Sequence, residues 1–154
     1  MPEPVHPSVD TAFPDTAFLD TAFLEALAES LARAIADNGG GVLVHVVARP
    51  DGPDIAVLPL DGLAPADVLL GADAPPEWAV MGVASGGWAT HLDRPRRRVR
   101  AAVVVLVVRD GRVVGRVHHG DEVITEPPAS GLTLDCLQRA LGLPTAPPED
   151  PSVD

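Results

Sequence analysis

The chain has 154 residues, 22 acidic against 11 basic side chains, and a net charge of −11. All the basic residues are arginine, which excludes lysine Schiff-base chemistry and a P-loop lysine. The acidic balance argues against general nucleic-acid binding, and the longest apolar run, bracketed by Arg100 and Arg109, is too short to span a bilayer.

Hydrophobic residues make up 46% and mean hydropathy is +0.18, enough for a globular core. Aromatic residues are only 3%, so that core must be built from Val, Leu and Ala. No basic-then-apolar leader pattern opens the chain. One cysteine, Cys136, cannot close an internal disulfide. Both features lead us to expect a cytoplasmic protein.

Residues 1–19 read as a disordered tail. A five-residue repeat begins there, Asp10-Thr-Ala-Phe13, Asp15-Thr-Ala-Phe18 and Asp20-Thr-Ala-Phe23. Its period fits neither a helix nor a strand, so only the last copy is expected to do structural work. The alternative is that Phe13 and Phe18 anchor in a groove, here or on a partner. Residues 20–142 read as one domain, and 143–154 as a proline-rich acidic tail.

Asp20 is placed to cap a helix running to about Asn38, where Gly39 to Gly41 stop it. Phe23, Leu27, Leu31 and Ile35 form its apolar stripe, and Glu29 pairs with Arg33 four residues on. A strand over Val42 to Ala48, a stiff Pro50–Pro53 turn and a strand over Ile55 to Leu60 form a hairpin. Pro65 opens a short helix through Leu70. A third strand over Glu77 to Ser85 is expected to break at Gly86-Gly87-Trp88.

The strongest local signal follows, a valine-rich run to Val108, then Asp110-Gly111, then an alternating run to His118. Asp-Gly between β-rich runs predicts a two-residue type I′ turn. That turn sets Val108 opposite Val113, Leu106 opposite Gly115 and Arg100 opposite Asp121. Val104, Leu106 and Val108 then share one face with Val113 and Val117, while Arg116 and His118 join Val103, Val105 and Val107 on the other. The first strand of this hairpin is apolar on both faces and should be central. Leu132 to Leu141 gives a last helix, ended by Gly142 and Pro144.

The resulting order, α-β-β-α-β-β-β-α, is an α+β class domain with a single antiparallel sheet of about five strands flanked by helices. It resembles roadblock and profilin-like modules, and more loosely the sensory PAS type, which implies an architecture and no activity. Gly86-Gly87-Trp88-Ala89, Arg96-Arg97-Arg98-Val99-Arg100 and Arg109-Asp110-Gly111 are similar to segments of small α+β proteins from high-GC bacteria. That resemblance spans roughly residues 77–118 and carries no activity with it.

Chemistry-bearing residues are sparse. His118-His119-Gly120-Asp121-Glu122, joined by His91 and Asp93, holds the residue types that ligate a divalent cation. Adjacent histidines on a strand point to opposite faces, however, and a solvated strand end is the competing explanation. Cys136 sits about 130° around the helix from Leu134, Leu137 and Leu141, which predicts a position near the surface or a partner, with no histidine base adjacent in sequence. Ser85 stands one place late for a G-x-S-x-G nucleophile elbow. His45 is expected to be a core or interface histidine whose ring nitrogen finds a partner.

The Arg94–Arg100 cluster could meet an anion, a nucleotide or an acidic protein surface, or merely solubilise the start of a strand. The expectation is a soluble, non-catalytic module without a cofactor, working through protein contacts. The contact we favour is self-association, as in a homodimer, across the sheet or first helix. A small metal-binding protein or hydrolase using the histidine cluster is the alternative. An anion binder at the arginines is a further one. No nucleic-acid or membrane partner is expected.

Overall fold

The computed structural model describes residues 20–91, 94–128 and 131–144, with the side chains of 89–97 outside the description. Of the residues expected to form the two tails, 1–19 and 145–154 also lie outside it, including Phe13 and Phe18, while Leu143 of the expected 143–154 tail packs against the core.

Helix α1 spans Thr21–Asn38. Asp20 caps it, its carboxylate accepting from the Phe23 amide at 2.8 Å, so the third copy of the repeat starts the helix. Strands β1 (Gly41–Arg49) and β2 (Gly52–Pro59) form the first hairpin, followed by helix α2 (Pro65–Leu69). Strands β3 (Trp78–His91), β4 (Arg94–Val108), β5 (Val113–His119) and β6 (Glu122–Ile124) follow, and helix α3 (Leu132–Ala140) ends the order. The sheet is antiparallel, in the order β2-β1-β3-β4-β5-β6. The α+β class and single antiparallel sheet are as expected, with six strands because β6 adds a short edge.

The sheet separates two cores. On one face α1 lays Leu24, Ala28, Leu31, Ala32 and Ile35 over Val44, Val46, Val80, Ala84, Val104, Leu106 and Val108. On the other, α2 and α3 bring Leu69, Leu134, Cys136, Leu137 and Ala140 against Met81, Val83, Val105 and Val107. Strand β4 feeds both cores from alternate residues, which is why its run of valines shows no polar phase.

Three sequence expectations are corrected. The hairpin loop has three residues: the Val108 amide donates to Arg112 O and the Gly111 amide to Val108 O, each at 2.8 Å. Gly111 has φ 104°, the positive value that a three-residue loop closing on a bulge requires. Val107 therefore faces Val113, Val104 faces Arg116, and Arg100 lies beside Gly120 rather than Asp121. A one-residue slip exchanges the faces of a strand, so Arg116 and His118 point toward α1.

Second, β3 does not stop at Gly86-Gly87 but runs on to His91. Gly86 is a close approach: a Cβ there would sit 2.5 Å from Ile35 Cγ2. Third, Cys136 is buried, at 5% exposure, because α3 packs on α2 as well as on the sheet, so two sides of the helix are covered.

Candidate functional site

The expected histidine cluster is divided between the two faces of the sheet. His118 pairs across the strands with Ala102 and His119 with Ala101, so the two rings leave on opposite sides. His118 Nε2 lies 3.1 Å from Glu29 Oε1 of α1, whereas His119 Nδ1 lies 3.8 Å from Glu122 Oε1. Gly120 and Asp121 make the turn into β6, with Gly120 at φ 62°. The backbone of His91 pairs with Arg94, but its side chain lies outside the described residues, as does all of Asp93. Among the described residues, no three His, Cys, Asp or Glu side chains are grouped to hold a metal ion.

The polar cluster that does form is hidden from the sequence by the hairpin slip. Glu25 and Glu29, one turn apart on α1, face Arg116 and His118, alternate residues of β5. Arg116 Nη2 donates to Glu25 Oε1 at 2.7 Å and to the Glu25 carbonyl at 3.1 Å. Its Nε lies 3.5 Å from Glu29 Oε1, an ion-pair distance without a hydrogen bond. Arg33 closes on the other oxygen of Glu29 at 2.6 Å. His118 and Arg33 hold the Glu29 carboxyl below its usual range, against a smaller opposing effect of burial. Arg116 is 8% exposed and is the one buried charged side chain among the described residues. Every charge here is answered by its neighbour. The arrangement ties α1 to β5.

Arg109 likewise proves structural. Its guanidinium donates to the carbonyls of Trp78 (2.8 Å), Leu141 (2.9 Å) and Pro75 (2.8 Å), joining the end of β4 to the end of α3 and the loop before β3. His45 stacks on Trp78 with ring centroids 3.8 Å apart and planes 3° apart. Its Nδ1, expected to find a partner, has none in the protein among the described residues. Ser85 lies mid-strand, opposite Gly41 and Val103.

The surface is more informative than the interior. Ile55, Val57 and Leu58 are 41%, 47% and 48% exposed, and all three lie on the edge strand β2. The direction of the free backbone groups there follows from the β1–β2 ladder. The Leu60 amide donates to Gly41 O at 2.9 Å, and Val42 faces Pro59. In an antiparallel ladder bonding alternates by residue, so Leu58, Ala56 and Asp54 turn their amides toward β1. Ile55 and Val57 turn theirs outward. Pro53 and Pro59 fall on this outward set, where a missing N–H costs no ladder bond. The edge is thus an open window of two donors between two prolines. The opposite edge, β6, has three residues, with Asp121, Glu122 and Glu126 in or beside it.

No protein-family model, no curated protein and no solved structure matches the chain. Among the described residues, no helix is long and apolar enough to cross a membrane.

Proposed function

We infer that this protein is a non-catalytic module of the bacterial cytoplasm that associates with a second copy of itself, edge to edge through β2. The observation that carries this is the β2 window: exposed Ile55 and Val57 side chains beside outward-facing Ile55 and Val57 amides, with no charge between Asp54 and Leu60. The helices pack over β1, β3 and β4, whereas β2 keeps three exposed apolar side chains at a free edge.

Two copies related by a two-fold axis at Ala56 would set Ile55 opposite the partner's Val57 and Val57 opposite the partner's Ile55. All four outward donors are then used, and the apolar side chains meet on the α1 side of a continuous sheet. Pro53 falls opposite the partner's Pro59, so neither proline displaces a bond. Pairing of this kind needs no pocket and no cofactor.

Light scattering tests it with two variants. Val57→Pro removes an outward donor while leaving the β1 ladder intact, and Ile55→Lys places a charge on the window. Dimers of the native chain and folded monomers of both variants are expected. Dimers that survive both substitutions would move the interface elsewhere.

A further inference from the structure

Strands β3 and β4 outrun their neighbours. Pairing with β1 ends at Ser85 and pairing with β5 begins at Ala101, so residues 86–91 and 94–100 stand out as a two-stranded ribbon. At roughly 3.3 Å per residue, the six ribbon residues of β3 reach about 20 Å beyond the sheet. Residues 86–100 carry five arginines and one aspartate, a net +4, which leaves −15 on the rest of a chain whose total is −11.

On the α1 side of this ribbon lies Trp88, 57% exposed, with Arg98 and Arg100 around it. Their guanidinium carbons lie 5.3 and 5.2 Å from the indole centroid, within cation–π range. Arg33, Arg49, Arg112 and Arg116 are each paired with a carboxylate, and Arg109 is held by three carbonyls. Arg98, Arg100 and Arg139 have no carboxylate partner among the described residues, in a chain with 22 acidic side chains. Arg100 makes one long bond, 3.4 Å, to the Ala36 carbonyl at the end of α1. A guanidinium resting on an aromatic ring keeps its donor edge open to phosphate oxygens.

We propose that Trp88, Arg98 and Arg100 form a binding site for single-stranded nucleic acid, with the indole as a stacking surface for a base and the two guanidiniums on the flanking phosphates. The chain-wide charge balance argues against such a partner, but that balance averages over a segment of +4 at residues 86–100 and a remainder of −15. An acidic protein segment would answer the arginines and leave the exposed indole unused.

The test is fluorescence anisotropy of a labelled oligothymidylate titrated with the full chain, at several salt concentrations, with polyglutamate as competitor. Binding that weakens with salt is expected. Trp88→Ala should weaken it on the order of tenfold, the loss of one stacked base. Arg98→Ala with Arg100→Ala should flatten the salt dependence by about 1.4 in log–log slope, about 0.7 for each phosphate that no longer meets a guanidinium. Circular dichroism confirms that each variant is folded. Absence of binding at low salt, indifference to all three substitutions, or polyglutamate competing on equal terms would each overturn the proposal. The last result would assign the ribbon to an acidic protein surface instead.

Discussion

The guanidinium of Arg109 reaches three carbonyls that belong to separate parts of the chain, and a lysine ammonium at the end of an unbranched stem lacks the fork to bridge them. Arg109→Lys should lower the unfolding free energy by about 2–3 kcal/mol, since part-buried carbonyls would lose a charged donor. Chemical denaturation measures this directly. Gly86 makes an opposite demand, for the absence of a side chain. Gly86→Ala should destabilise by about 1–3 kcal/mol through overpacking against Ile35, and Ile35→Ala in the same chain should recover part of that loss.

Glu29 supplies the pH-dependent residue. Its carboxyl is held below its unfolded value, so the ionised form stabilises the fold at neutral pH, and that contribution fades as pH falls through the folded value. In acid titrations followed by circular dichroism, Glu29→Gln should therefore be less stable than the native chain at neutral pH, with the difference closing at the acid end.

At the scale of the element, each feature is legible when its cause is local. Helix α1 declares itself through the Asp20 cap, the four-residue stripe and the glycines that end it. The β4–β5 hairpin declares its existence through Asp110-Gly111. Its register depends on whether one more residue joins the loop, and neither Arg109 nor Arg112 reveals that. The slip hides the polar cluster, because a two-residue turn sets Arg116 and His118 on the face away from Glu25 and Glu29. A complementary spacing is present: two acids one helical turn apart and two bases alternating on a strand. Only a known register brings them together.

The burial of Cys136 is out of reach for a related reason, since a helical wheel does not announce that a second helix flanks α3. Asp110→Val tests the loop assignment, because the three-residue loop leaves Asp110 at negative φ and a type I′ turn would put it at positive φ. It should cost less than about 1 kcal/mol, whereas Gly111→Val should cost about 1–2 kcal/mol through the positive φ of Gly111. An Asp110→Val cost as large as that of Gly111→Val would contradict the three-residue loop. Arg116→Ala, read by the same denaturation curve, should cost about 1–2 kcal/mol by removing the charged donor to Glu25, while Glu29 keeps Arg33 and His118.

For the whole molecule, one chain uses both faces of its sheet to build two separate apolar layers. The perimeter offers two surfaces for contact, an apolar strand edge at β2 and the β3–β4 ribbon with Trp88, Arg98 and Arg100. The valine content that suggests an uncovered sheet face is consumed by β4, which serves both layers at once. The edge at β2 is present in the sequence as Pro53-Asp54-Ile55-Ala56-Val57-Leu58-Pro59. Its meaning depends on knowing which amides face outward, and that follows from the ladder alone.

Self-association through that edge is the central claim. Light scattering across a wide concentration series tests it most directly, with the native chain beside Val57→Pro. The expected result is a native mass that rises from monomer to dimer with concentration and a Val57→Pro chain that stays monomeric with an unchanged circular dichroism spectrum. A native chain that remains monomeric throughout the series would contradict it.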